Sequence, residues 1–347
     1  MISRSRNGNP TIKDVALACG VSVATVSYVI NEKRVLRQDT RDKVKQVMLE
    51  MNYHPSAVAQ GLSSKRLHTV GVLLGAVNPV DFALNTYSSG ILQGVVIQGQ
   101  REKFNITLFT DPWHNAVDSA LQLRDGRTDG ILVIGPRLDS DILEYLSSVN
   151  VPAVAISAAS KTNIPVLDVD NAAGARLAVQ HLLELGHRRI AYLSGNDDLA
   201  SFQPRWEGFM AGLREAGIEP DPELMQVSDF NGSLASAQTA VLMQRALPPT
   251  AIVAGNDYIG LTAIEMAHTL GINVPGQLSV VGFDNMPVAA QITPSLTTIH
   301  QPLTDIGASA THLLIDRIRH RGSDQIAVPG LFAPTLVVRN STGPAPH

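Results

Sequence analysis

The chain has 347 residues, 44% of them hydrophobic and 17% charged, with a formal net charge of −4 and one cysteine. That length is a prior for two or three domains, and the composition is that of an ordinary globular protein. An internal disulfide framework is excluded, no apolar run approaches a membrane span, and the N-terminus lacks the apolar core of a signal peptide, so a cytoplasmic location is expected.

Near the start, residues 11–31 read as two short helices joined by a tight turn. Thr11 followed three residues later by Asp14 has the form of a capping box, and Ile12, Val15, Ala16 and Cys19 then form one apolar stripe. Cys19 is therefore read as core. Gly20 supplies the left-handed residue that ends the first helix, and Ser22 caps a second whose Val26, Val29 and Ile30 face inward. Val23, Ala24, Thr25, Ser27 and Tyr28 are left pointing outward. A helix-turn-helix that reads DNA sets its second helix in the major groove with N-terminal residues against base edges. The plainer alternative is a helical hairpin with no such role.

Val44, Val47, Met48 and Met51 repeat the helical spacing and predict a third helix that closes a small core. Next comes Asn52-Tyr-His-Pro-Ser-Ala-Val-Ala-Gln-Gly-Leu62, where Ser56–Leu62 has the length of about two helical turns. So short a helix is marginal alone in water, and Gly61 weakens it further, so it needs a partner to fold. Residues 1–66 carry eleven of the 27 Lys/Arg but five of the 31 Asp/Glu, which leaves 16 against 26 in the remainder. A basic head on an acidic body suits phosphate contact by the head alone.

From Val70 the rhythm changes to short apolar runs alternating with helical segments. Strands are expected at 70–76, 106–109, 130–134, 154–156, 189–193, 251–254 and 278–283. Helices are expected near 86–101, 116–125, 139–148, 171–186, 202–217, 232–247, 257–271 and 302–321. Such alternation implies parallel sheets with right-handed crossovers, and so many strands imply two Rossmann-like lobes with a ligand cleft between them. The fold class is thus α/β, with an all-α headpiece preceding two lobes.

The motifs Thr11-Ile-Lys-Asp-Val-Ala, Val21-Ser-Val-Ala-Thr-Val-Ser, Asn31 and Tyr53-His-Pro-Ser-Ala-Val-Ala-Gln-Gly-Leu62 resemble those of the LacI–GalR family of bacterial transcription regulators. The resemblance extends to about Thr342. It implies a headpiece at 1–54, a hinge helix and linker at 55–68, an effector-binding and dimerisation domain at 69–342, and a tail at 343–347. It also implies that the chain crosses three times between lobes of periplasmic-binding-protein-like type, approximately 69–170 with 300–331 and 171–299 with 332–342. On this reading Val23, Ala24 and Tyr28 face bases, Thr25, Ser27 and Asn31 mostly hold phosphates and set register, and Thr11, Ser22 and Tyr53 are further DNA-binding residues. Val58, Ala59 and Leu62 enter the minor groove from paired hinge helices, with Leu62 as a wedge. The partners implied are a double-stranded palindromic operator, a second copy of the chain, and a small-molecule effector of carbohydrate type. After Thr342 there is no leucine heptad, so a dimer is expected and not a tetramer.

For the effector, the resemblance implies contacts from Arg205, Asp284, Asn256 and Asp170, with Phe230 as a stacking ring. A guanidinium suits forked bonds to vicinal hydroxyls or a carboxylate. The loop after the first strand is longer than the family pattern, so either Phe82 or Tyr87 supplies a further aromatic, Tyr87 being favoured by its spacing to Gly94. Residues 155–160 lack the charged pair often found there, and Arg37 stands where a serine usually caps the third helix. A nucleobase is the competing ligand. Trp113 and Trp206 are read as packing.

Enzymatic readings find no support. There is no G-x-x-x-x-G-K loop, no G-x-G-x-x-G, no H-E-x-x-H, no G-x-S-x-G and no cysteine pair. No metal or other cofactor is expected. The remaining rival is a solute-binding protein without DNA function, which has no use for residues 11–62 and requires secretion.

Overall fold

The computed structural model describes residues 10–31, 36–55, 67–75, 86–109, 123, 125–195, 198–228, 233–320 and 330–346. The expected hinge residues Val58, Ala59 and Leu62, the expected helix near 116–125 apart from residues 123 and 125, and Phe82, Trp113 and Phe230 lie outside these. The chain divides into two compact units at Thr69/Val70.

The first unit is a three-helix headpiece: α1 (Ile12–Cys19), α2 (Val23–Ile30) and α3 (Gln38–Glu50). At the start of α1 the Asp14 carboxylate accepts from the Thr11 amide at 2.8 Å and from its hydroxyl at 2.7 Å, so the carboxylate half of the capping box is in place. Gly20 ends α1 at φ 67°, a conformation that side-chain-bearing residues rarely adopt. The turn sets α1 and α2 at 107°, within the range of DNA-binding helix-turn-helix pairs. Ser22 Oγ then accepts from the Thr25 amide at 3.1 Å and caps α2. The core is small: Val15, Ala16, Cys19, Val26, Val29 and Val44 are buried, with Ile30, Val47, Met48, Met51 and Tyr53 packed around them.

The second unit holds two sheets. In the first, β1 (Thr69–Leu74), β2 (Asn105–Phe109), β3 (Gly130–Ile134), β4 (Ala153–Ile156) and β5 (Val166–Leu167) lie in the order β2-β1-β3-β4-β5. In the second, β6 (Ile190–Ser194), β7 (Met225–Val227), β8 (Ala251–Ala254), β9 (Ser279–Asp284), β10 (Thr297–His300) and β11 (Thr335–Val337) lie in the order β11-β10-β9-β8-β6-β7. Pairings from β6 to β10 are parallel, and β11 alone runs antiparallel at the edge. The strands β5, β7, β10 and β11 were not expected from sequence. All four have only two to four residues, and β10 (Thr-Thr-Ile-His) also lacks the apolar run that marks a buried strand.

Helices α4 (Thr86–Glu102), α5 (Ile142–Ser148), α6 (Asn171–Glu184), α7 (Phe202–Glu215), α8 (Ala235–Met243), α9 (Asp257–Thr269) and α10 (Leu303–Arg319) cover the sheets. Although late in the chain, α10 returns to the first sheet. It packs on α4, where Glu102 accepts from Arg319 at 2.7 Å and sits 3.0 Å from His312. Both sheets therefore place their strand-order reversal between the first strand and the third, β1/β3 and β6/β8, where open α/β sheets bind ligands.

Three crossings join the lobes. At the first and third the backbone pairs in parallel: Asp170 N–H donates to the Phe332 carbonyl at 2.8 Å, and Phe332 N–H to Asp168 at 2.9 Å. The second crossing runs through Gln301 and Pro302. Residues 341–345 are stitched onto the second lobe, where Val280 N–H donates to Ser341, Ala345 N–H to Leu185, and the fully buried His187 meets the Gly343 carbonyl.

Candidate DNA-binding surface and ligand cleft

On the headpiece, apolar spacing buries Val26 and Val29 and turns the opposite face of α2 outward. Val23 is 41% exposed and Tyr28 36%, and Ala24 lies open beside them. Thr25 and Ser27 are half-buried, and Ser22 Oγ is 2.9 Å from Thr25 Oγ1. Asn31 closes the helix by donating to the Ser27 carbonyl at 2.9 Å and to its hydroxyl at 3.1 Å. Thr11 and Tyr53 are half-buried at the ends of α1 and α3. The result is a small apolar and hydroxyl-bearing surface at the start of one helix, with Lys13, Lys43 and Lys45 exposed on the same unit.

In the body, the cleft is organised by Arg205, one turn into α7 and 8% exposed. Its Nε donates to Asn171 Oδ1 at 2.8 Å and its Nη1 to the Gly255 carbonyl at 2.5 Å. Its Nη2 faces Asp284 Oδ1 at 3.7 Å, and its plane lies 3.7 Å from the Phe283 ring centroid. A desolvated guanidinium over a ring gains about 2 kcal/mol, so Phe283 helps hold the charge in place. Gly255 follows β8, and a Cβ there would come within 2.7 Å of the Gly195 amide after β6. Glycine at 255 thus lets the two loops part closely at the switch point, leaving a carbonyl for Arg205.

Asp284 ends β9, 7% exposed, and accepts from Gln301 Nε2 at 2.6 Å. Its backbone has φ 119° and that of Asn285 φ 57°. A non-glycine residue in so sparse a region costs roughly 1–3 kcal/mol and needs firm surroundings, which the Gln301 and Arg205 contacts supply. Burial pushes the Asp284 carboxyl above the usual range, against the opposing pull of Arg205 and Gln301. Asp257, at the start of α9, accepts from Thr298 Oγ1 at 2.5 Å and from the Met286 amide at 2.6 Å. It too is raised, by burial first and by the Asp284 charge second.

The first lobe contributes Tyr87, Ser157 and Asp168. The Tyr87 hydroxyl lies 2.5 Å from Ser157 Oγ, which donates to Asp168 Oδ1 at 2.8 Å. Asp168 also accepts from the Val169 amide at 2.8 Å and from Asn171 Nδ2 at 3.3 Å. Burial raises the Tyr87 phenol and the Asp168 carboxyl. One polar chain therefore runs Tyr87–Ser157–Asp168–Asn171–Arg205–Asp284–Gln301, from one lobe to the other and through the first two crossings. At the rim, Arg137 of the first lobe bridges Asp198 of the second, Nη1 to Oδ2 at 2.6 Å, and Leu138 N–H donates to the Asp198 carbonyl at 2.8 Å.

Of the residues singled out from sequence, Tyr87, Arg205 and Asp284 come together in this chain. Asp170 and Asn256 are adjacent to it but serve as helix caps: Asp170 accepts from the Ala173 amide at 2.8 Å, and Asn256 from Ile259 at 2.9 Å. Ser157, Asp168, Asn171, Gln301 and Phe283 were not singled out. Ser157 directly follows an expected strand, a position that could have marked it. Gln301 follows β10, which was not expected, and nothing local marks Asp168 above Asp170. Trp206 packs edge-on to Tyr192 at 5.7 Å and stacks on Phe202. Among the described residues no cluster of His, Cys, Asp and Glu could hold a metal ion, and no single helix is long and apolar enough to cross a membrane.

A helix-turn-helix unit and a body of two parallel sheets with a polar cleft define a DNA-binding regulator with a ligand-binding domain. Residues 11–56 match the family model of bacterial regulatory proteins of the lacI family, and residues 179–342 match that of the periplasmic binding protein-like domain. The HTH-type transcriptional repressor PurR of Vibrio vulnificus is 32% identical over 335 residues, 95% of this chain and 98% of that protein. The ribose operon repressor of Halalkalibacterium halodurans is 33% identical, covering 96% and 97%. The Lac repressor dimer bound to operator and the anti-inducer ONPF superposes with a TM-score of 0.84 at 26% identity, over 96% of this chain and 99% of that one. The chain belongs to the LacI family of bacterial regulatory proteins. It is a DNA-binding repressor of that family, not an enzyme.

Proposed function

We propose that the protein acts in the cytoplasm as a dimeric repressor on a palindromic operator and that a sugar-like effector in the cleft sets its operator affinity. The observation that carries this reading is the polar chain through Arg205 and Asp284, because it passes through two of the three crossings that fix the angle between lobes. A ligand engaging Arg205, Asp284 and Tyr87 bears directly on that angle. Asp170, Asn256 and Phe230 complete the proposed pocket, the first two through the helix ends they cap. A ligand that prefers the DNA-bound angle acts as a corepressor, and one that prefers the other acts as an inducer.

On DNA, Val23, Ala24 and Tyr28 read bases, while Thr11, Ser22, Thr25, Ser27, Asn31 and Tyr53 hold register on phosphates. Val23 and Ala24 carry no hydrogen-bonding group, so they make apolar contacts, with thymine methyls the natural partners. Val58, Ala59 and Leu62 form the minor-groove element, with Leu62 opening the central step at a cost of a few kcal/mol that the bent DNA offsets. The test joins both halves. Selection from randomised DNA should yield a palindrome, exchanging Ala24 and Tyr28 should change the selected sequence, and a thermal-shift screen should find a sugar that alters operator affinity. An unchanged sequence would remove the base-reading assignment, and nucleobases as the only active compounds would replace the sugar.

A further inference from the structure

Two consecutive non-glycine residues at positive φ, Asp284 and Asn285, keep that conformation only with support from their surroundings. Gln301 and Arg205 hold the first. Asn285 is held by three groups outside the polar chain through Arg205. Its amide N–H donates to Thr298 Oγ1 at 3.3 Å, its Oδ1 accepts from Arg339 Nη2 at 2.6 Å, and its Nδ2 lies 3.1 Å from His300 Nδ1. Arg339 follows β11 and is itself anchored, its Nη1 donating to the Leu296 carbonyl at 2.7 Å. His300 ends β10, directly before Gln301.

These bonds also fix a proton. A guanidinium only donates, so the side of the Asn285 amide that meets Arg339 is its oxygen. The NH2 group then faces His300 and donates to Nδ1, which must offer a lone pair. The ring proton is therefore on Nε2. A proton on Nδ1 would set donor against donor, and turning the amide over would set its NH2 against Arg339 instead. Asp284 and Asp305 line a cavity of about 450 Å³ with His300, and α4 adds only the uncharged Ser89, Gly90 and Gln93. Among the described residues no carboxylate is hydrogen-bonded to the ring.

We propose that Arg339 and His300 are positioning residues for Asp284, acting through Asn285 to hold the strand end whose carboxylate faces Arg205 and the cleft. That this positioning serves a ligand rests on the reading of the cleft as an effector site. His300 stands where the second crossing leaves β10, and Arg339 where the chain leaves β11 at the edge of the sheet. A change of angle at that crossing therefore reaches Asp284 by a second route besides Gln301.

The test uses the full chain. Nitrogen-15 spectra of histidine-labelled protein, with His300→Asn to identify the signal, read which ring nitrogen holds the proton. Wild type should show Nε2–H alone. Asn285→Asp offers only acceptors, so it should place a proton on Nδ1 while Arg339 stays paired. His300→Asn keeps an acceptor near the place of Nδ1 and should recover most of the melting temperature that His300→Leu loses. A double-mutant cycle then joins Arg339→Met with Asp284→Ala, and the pair should lose clearly less melting temperature than the sum of the single losses. Ribose, glucose and cellobiose are titrated into wild type and Arg339→Met. Any that binds wild type should bind the variant about tenfold more weakly, with sugar-free operator affinity unchanged. A proton on Nδ1 in wild type, or strict additivity in the cycle, overturns the proposal. Silence of all three sugars touches the effector reading alone, because the spectrum and the cycle need no ligand.

Discussion

The headpiece and the cleft present their working groups in opposite ways. On α2 the residues proposed to read DNA are exposed and mostly apolar, standing on a core of six buried side chains among the described residues. In the cleft the working groups are charged and buried, held by one another and by the strand ends of two large sheets. A surface that waits for a large, structured partner needs little support beyond a fixed helix. A cleft that must distinguish small ligands has to bury charge before the ligand arrives, and it can do so only where neighbouring groups satisfy it. The difference shows in how each should fail.

The largest effect is expected at Arg205. Arg205→Met leaves Asp284 buried without its cation, and breaking a buried pair from one side costs about 3–5 kcal/mol. The pH dependence follows from sign. Asp284 is already raised by burial, and losing Arg205 removes its chief lowering influence, so its folded value rises further above the unfolded one. Protonation then relieves the unpaired charge. The stability deficit of the variant should shrink as pH falls and grow as pH rises through the raised folded value. Calorimetric melting of wild type and variant at several pH values measures this, and a deficit independent of pH would show that Asp284 is not the group left unpaired.

A smaller loss is expected in the headpiece core. Val44→Ala removes two buried methylene equivalents, about 1.6 kcal/mol at ~0.8 kcal/mol each, before any cavity effect. In a unit with so few buried residues that is a large share of its stability. Operator binding should weaken while body melting stays unchanged. Coupled melting of both would contradict the division at Thr69/Val70. The smallest of the three is Ser22→Ala, which removes the cap on α2 and should cost about 1 kcal/mol, read by thermal melting of the headpiece transition.

The same contrast decided what the sequence made legible. The headpiece could be read nearly residue by residue, since Thr11, Gly20 and Ser22 mark helix ends locally and Val26 and Val29 mark the inward face by spacing alone. The strands β1, β3, β8 and β9 were legible for a related reason: they are continuous apolar runs buried on both faces. The cleft is different. Arg205 and Asp284 were found through motif resemblance, but their link through Asn171 and Gln301 joins residues 34 and 17 positions apart, which no local pattern reports. Asp170 was singled out and also caps α6, whereas Asp168, two residues earlier, carries the hydrogen bonds to Ser157 and Asn171, and no local signal separates the two. β10 escaped because two threonines break its apolar run, and with it went Gln301.

The central claim is that the Arg205–Asp284 chain couples cleft occupancy to DNA affinity while the headpiece and hinge make the DNA contacts. The most direct measurement is a fluorescence-anisotropy titration of the selected operator with wild type and Asp284→Ala, each with and without the sugar that raises the wild-type melting temperature. The account predicts that the two proteins bind operator alike without the sugar and that only wild type changes affinity when it is added. A variant that still responds to the sugar as wild type does would contradict it.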